Sequence, residues 1–245
     1  KHESEDTWFI VPGVAAGVFD GVGGWRNDGI NPAPWTRAVA NGCWEAVEAG
    51  NQGIISILNN GYRNALKSGH QGSCTATLVL KTGPTNVTFA NLGDSGLAHY
   101  RNGKELFRSE EQEYAFNFPW SLSSDRDAEP SDAERKMLTG LKSGDYLILA
   151  TDGLWDNLYP NEIAKFLDDE SSPEKIAAEL TVAAYWASAD PKRWAPFGQK
   201  YVESLYGETD PFTASQPSDN PGAPPLIEYL GGKPDDITVV VGRLV

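Results

Sequence analysis

The chain has 245 residues, enough for one generous domain or two small ones around a substantial core. Twenty basic residues stand against 34 acidic ones, and the formal net charge of -14 argues against nucleic acid as the primary partner. No apolar run reaches the roughly 18 residues of a membrane span. Cys43 and Cys74 lack a second cysteine or a histidine at zinc-ligand spacing, so two buried free thiols in a reducing compartment are expected. The chain does not open on Met, so any targeting segment is expected to have preceded Lys1.

Thr7 to Phe19 reads as two strands around a Pro12-Gly13 turn, and Gly21 to Gly24 as a loop. Helical patterns follow over Pro34 to Glu48 and Ile54 to Lys67; the second spaces Ile54, Leu58, Tyr62 and Ala65 for one face. A strand group covers Cys74–Leu80, Asn86–Leu92 and Gly96–Arg101, with a short return after an Asn102-Gly103 hairpin turn. Residues 109–140 read as polar and irregular, and Asp145 to Ala150 as a compact apolar strand. Helices are expected over 160–168, 174–188 and 195–206, and a long Pro/Ser-rich surface loop over 207–226. Ile237 to Val245 closes the chain as a strand. Runs of strands separated by runs of helices predict an α+β fold of antiparallel sheets with helices packed outside.

Four acidic positions share a local grammar. Asp20 and Asp152 each end a buried run and precede a glycine; Glu5-Asp6 and Asp235-Asp236 each open one. One such acid is explained as a cap, a turn residue or a strand-edge gatekeeper. Four of them, each at the mouth of the most apolar run nearby, are too costly together without a compensating cation. A ligand set of oxygens alone favours Mg²⁺ or Mn²⁺ over zinc or copper. Cations clustered on carboxylates suit phosphoryl chemistry, where two metals about 3.5–4 Å apart activate water and neutralise phosphate.

These segments resemble the type 2C, metal-dependent serine/threonine protein phosphatases. The resemblance runs through Glu5-Asp6, D-G-V-G-G-W at 20–25, G-S-C-T-A at 72–76 and A-N-L-G-D-S-G at 90–96. It continues through A-T-D-G-L-W-D-N at 150–157 and P-D-D-I-T-V-V-V at 234–241, so it covers essentially the whole chain as one catalytic domain. The D-G-V-G-G-W form and the G-G-K-P-D-D-I-T ending look most like the branch containing the mitochondrial phosphatases of fungi and animals.

The resemblance implies a four-layer αββα sandwich, two antiparallel sheets flanked by helices, with metals at one end. It implies two Mg²⁺ or Mn²⁺ ions, with a third held loosely. Asp20 would bridge the two, the Gly21 carbonyl would bind one of them, Glu5 would hold the second metal, and Asp152 with Asp235 the first. Asp94, with Asp152, would hold the weak third cation, and Asp6, Asp156 and Asp236 would support the ligands. Asp20 and Asp152 would act through the metal-bridging water that attacks phosphorus, and phosphorylated proteins would be the substrates of a monomeric, intracellular, mitochondrial enzyme.

Three positions depart from the family pattern. Val22 replaces a histidine often proposed as general acid, Lys1 stands where an arginine grips phosphate, and Gly96 stands where an arginine often follows Gly-Asp-Ser. Lysine is a point charge rather than a bidentate fork, which predicts weaker phosphate binding. No metal ligand is lost. A pseudophosphatase, keeping fold and metals as a protein-binding module, is the competing reading. His2 lies near Glu5, within reach of a role as an acid, and is expected as a solvated terminal side chain; His70 and His99 show no acidic or Cys partner at ligand spacing, and no His–Asp pair is placed to activate Ser73 or Ser95. Trp25 is placed to line the cleft, and Phe197 and Tyr201 to pack.

Overall fold

In the computed structural model, which describes residues 3–168, 170–206 and 230–245, the strands and helices follow the sequence pattern in order. Strands β1 (Thr7–Val11) and β2 (Ala15–Phe19) form the first hairpin, with Gly13 at φ 71° supplying the left-handed turn. Helices α1 (Ala33–Glu48) and α2 (Ile54–Ser68) come next. They are followed by β3 (Ser73–Cys74), β4 (Ala76–Gly83), β5 (Asn86–Leu92), β6 (Gly96–Arg101) and β7 (Lys104–Arg108). Asn102 and Gly103, at φ 52° and 71°, turn β6 into β7 with the right-handed twist that such a hairpin needs.

Short strands β8 (Glu113–Ala115), β9 (Phe118–Pro119) and β10 (Leu122–Ser123) lead to β11 (Glu134–Leu138) and β12 (Tyr146–Ala150). Helices α3 (Asp152–Trp155), α4 (Pro160–Ile163), α5 (Pro173–Ala189) and α6 (Pro196–Tyr206) precede the last strand, β13 (Val239–Arg243).

Two antiparallel sheets result, one ordered β1-β2-β4-β5-β11 and the other β13-β12-β6-β7. Three apolar layers hold the stack together. Trp35, Val39, Leu58 and Tyr62 join α1 and α2 to one sheet, with Phe19, Leu78 and Leu92. Val18, Val79, Phe89, Leu97, Leu149 and Val240 fill the space between the sheets. Ile148, Ile163, Ile176, Leu180 and Ala184 join the second sheet to its helices. This is the expected four-layer αββα sandwich.

Several boundaries differ from the sequence expectation. β11 falls inside the stretch read as irregular: it is an edge strand, exposed at Arg135, Lys136 and Met137, and so lacks an apolar alternation. The first late helix is a single turn, α4, continued as a 3-10 turn over Ala164–Phe166. The glycine loop runs straight into a 3-10 helix over Gly23–Asp28. The 207–226 loop, Lys1 and His2 lie outside the described residues.

Candidate metal centre

Antiparallel pairing brings the acid-bearing strand ends to one edge of the sandwich. Thr7 pairs with Phe19, so Glu5-Asp6 and Asp20 share an end, and Val18 pairs with Thr77 to bring the start of β4 alongside. In the other sheet Ala150 pairs with Gly96 and with Val239, which sets Asp94, Asp152 and Asp235-Asp236 beside one another. Glu5, Asp20, Asp94, Asp152, Asp235 and Asp236 face one cavity, with Gly21 and Val22 in its wall.

Backbone and side-chain hydrogen bonds hold these ends. The Thr75 N–H donates to the Asp20 carbonyl at 2.9 Å, and the Asp20 N–H to Thr75 Oγ1 at 3.3 Å. Glu5 N–H donates to Asp236 Oδ2 at 2.8 Å, and Thr151 Oγ1 to Asp6 Oδ2 at 2.9 Å, so Asp236 and Asp6 tether β1 to the second sheet. Gly21 is a glycine because a Cβ there would come within 2.8 Å of both the Glu5 carbonyl and Thr36 Oγ1.

The electrostatics are those of crowded carboxylates. Loss of solvent, reinforced by Asp6, Asp152 and Asp235, holds Asp20 well above the ordinary carboxylate range. Burial and Asp152 do the same to Asp94. Asp6 is pushed up to about 7 by burial despite its hydroxyl donors, and Asp235 to about 6 by desolvation and Asp152. Asp6 Oδ1 and Asp152 Oδ1 are buried without a partner. A hard divalent cation fits this set: it needs oxygen donors, favours their ionised form and gives orphaned oxygens a partner. Among the described residues no three of these groups already close on a single point as ligands.

Three cations that the sequence reading did not weigh enter the site. Lys233 Nζ contacts Asp152 Oδ2 and lies 3.0 Å from Asp156 Oδ2 and 3.4 Å from Asp235 Oδ2. Lys200 Nζ reaches Asp156 Oδ1 at 2.9 Å, and Arg26 Nε donates to Glu5 Oε1 at 2.6 Å. A lysine two residues before Asp235, in a stretch otherwise acidic, was the available signal for Lys233. The partners of Lys200 and Arg26 are 44 and 21 residues away, beyond any local pattern.

The remaining candidates are also placed. His99 has an acidic partner after all: its Nε2 lies 2.9 Å from Asp145 Oδ2, a contact across 46 residues that ligand spacing does not reveal. Trp25 Nε1 donates to Ser73 Oγ, and Ser95 Oγ bonds Thr75 Oγ1, which accounts for both serines structurally. Cys43 and Cys74 are free and buried, and Phe197 and Tyr201 pack on Phe116. Gly96 leaves little room for a side chain, since a Cβ would meet Ser109 Oγ at 3.0 Å and Trp155 Nε1 at 3.3 Å.

No family model matches the chain. A rice protein described as putative protein phosphatase 2C 24 is 34% identical over 253 residues, which cover 98% of this chain and 73% of that protein. A Xenopus laevis protein phosphatase PTC7 homolog is 31% identical over 97% of this chain and 80% of its own length. The chain spans only 47% of an Arabidopsis relative described as probable protein phosphatase 2C 55, at 33% identity. Among solved structures, the photosystem II phosphatase PBCP superposes with a TM-score of 0.84 at 25% identity, covering 98% of this chain and 92% of that one. With the fold, the gathered acids and these relatives in agreement, the chain belongs to the protein phosphatase 2C family.

Proposed function

We propose that the chain hydrolyses phosphoserine and phosphothreonine in proteins, as a monomer, using Mg²⁺ or Mn²⁺. The observation that carries this reading is the convergence of acids from separate strand ends on one cavity, with buried carboxylate oxygens left unpartnered. Asp20 would contact both cations and the Gly21 carbonyl one of them; Glu5 would hold the second, and Asp152 with Asp235 the first. When bound, such cations neutralise the phosphate and lower the pKa of water enough to make it a nucleophile at neutral pH.

The chain's own groups orient that chemistry. Asp236 holds the Glu5 backbone, Thr151 and Asp6 tie β12 to β1, and Arg26 fixes the Glu5 carboxylate. Val22 presents an apolar side chain to the cavity, so that position supplies no proton to the leaving oxygen. Val22 also supports the second reading, a pseudophosphatase that binds phosphoproteins without turning them over. Among the described residues no helix is long and apolar enough to cross a membrane. Relatives named PTC7 homologues support a place in the mitochondrial branch.

Phosphate release from a phosphothreonine peptide in Mn²⁺, by the wild type and by Asp20→Asn, separates the readings. Turnover by the wild type alone supports the enzyme. Tight peptide binding by both proteins with turnover by neither supports the pseudophosphatase.

A further inference from the structure

Thr75 stands where the two sheets bring their acids together. Val18 pairs with Thr77, and two residues further along this register Asp20 lies opposite Thr75. A regular antiparallel pair exchanges two backbone bonds at such a position. Here the Thr75 N–H donates to the Asp20 carbonyl at 2.9 Å, but the return bond from the Asp20 N–H ends on the Thr75 hydroxyl, at 3.3 Å. The side chain takes the place of its own carbonyl, and one residue holds both backbone groups of Asp20.

The same hydroxyl reaches toward the other sheet. Thr75 Oγ1 lies 2.6 Å from Ser95 Oγ, and both residues are buried away from solvent. Ser95 follows Asp94 in the turn that leads into β6. That turn also closes on the threonine methyl group: Gly93 sits at φ 96°, and a Cβ there would come within 2.6 Å of Thr75 Cγ2. On its far side the Gly93 carbonyl accepts from the Gln112 N–H at 3.0 Å and from Asn91 Nδ2 at 3.3 Å, which holds the turn against Thr75. Each arm of Thr75 therefore touches a segment that carries a cavity acid.

We infer that Thr75 is a positioning residue for the metal centre, its hydroxyl fixing the Asp20 backbone to the Asp94 turn through Ser95. The proposal deepens the metal reading above and rests on it. Asp20, from one sheet, would share a cation with Asp152 and Asp235, from the other. Ser95 adjoins Gly96, which pairs with Ala150 two residues before Asp152, so the hydroxyl pair is a direct side-chain link between those two sheet ends. A cation that accepts oxygens only near about 2.0–2.1 Å, as Mg²⁺ does, needs that separation held. Groups behind the ligands supply such order.

The test is Mn²⁺ binding to the metal-free protein by titration calorimetry, with melting in EDTA measured on the same samples. Thr75→Val keeps the side-chain shape and removes the hydroxyl; it should bind Mn²⁺ about 10–100-fold more weakly while still melting cooperatively. Thr75→Ser, which keeps the hydroxyl, should bind near the wild-type level. Ser95→Ala should weaken binding in the same direction, and Thr75→Val/Ser95→Ala should be little worse than Thr75→Val, because both changes break one link. A merely structural threonine would lower the melting temperature and leave the affinity of the folded protein unchanged; that result overturns the proposal. So does a Thr75→Ser protein as weak as Thr75→Val, since the hydroxyl would then not be what matters. Should Thr75→Val fail to fold, Ser95→Ala decides, and wild-type affinity in that variant contradicts the link. A wild type that takes up no Mn²⁺ overturns the metal reading itself, and the proposal with it.

Discussion

Asp20 is held among like charges and, in this account, carries the chemistry. Its carboxyl is held well above the ordinary range by desolvation and by the acids around it, so an amide in its place removes little charge from the metal-free protein. Asp20→Asn should therefore melt at the same or a higher temperature in EDTA, while its turnover in Mn²⁺ falls by roughly 10²-fold or more. Asp152→Asn should lose turnover to a similar degree. Near-normal rates in either variant would mean that the centre lies elsewhere. Val22 gives the second residue-scale prediction. A positioned general acid contributes about 10²–10⁴-fold to the departure of a poor leaving group. Val22→His should accordingly raise kcat/KM for a phosphoserine peptide more than for p-nitrophenyl phosphate, whose leaving group is stable as an anion. An unchanged ratio between the two substrates would show that protonation at this position does not limit the reaction. The acids were legible in the sequence because each borders an apolar run. Lys200 and Arg26 were not, because their meaning comes from partners distant in the chain.

At the scale of elements, the approach to β12 is fixed by one buried carboxylate. Asp145 accepts from Arg101 Nε at 2.6 Å, from the Lys142 N–H at 2.8 Å and from His99, so it ties β6 to the turn before β12. Burial pushes its pKa up, but the Arg101 hydrogen bonds, the Lys142 N–H and His99 outweigh that and hold it well below the ordinary range. A depressed carboxylate stabilises the fold above its unfolded pKa and loses that contribution as pH falls through the folded value. Asp145→Asn should cost about 2–3 kcal/mol at neutral pH, in line with hydrogen bonds to a charged group. The gap between wild type and variant should narrow below about pH 4, near the unfolded pKa of an aspartate. Urea unfolding across pH measures it, and a constant gap would contradict the assignment. The same element shows where sequence reading succeeds and fails. β12 is apolar on both faces and was legible as a strand; β11 offers three consecutive residues, Arg135, Lys136 and Met137, to solvent and was not, because it carries no apolar alternation.

For the whole molecule, the order of strands and helices predicted the layers, and the antiparallel register then decided which strand ends meet. The sequence showed acids at strand mouths; only the pairing of Thr7 with Phe19 and of Ala150 with both Gly96 and Val239 shows that those mouths share an edge. The resulting concentration of like charge predicts that cations stabilise the entire fold. Mn²⁺ at a hundred times its dissociation constant should add about 2.7 kcal/mol per ion, which for a domain of this size raises the melting temperature by roughly 5–10 °C per site. Equal melting in Mn²⁺ and EDTA would exclude a bound centre. The central claim, metal-dependent hydrolysis of phosphoproteins, meets its most direct test in phosphate release from one phosphothreonine peptide, measured in parallel with Mn²⁺, Mg²⁺ and EDTA. The account predicts turnover with either cation, none with chelator, and recovery when metal is restored; full activity in EDTA, once removal of metal is verified, would contradict it.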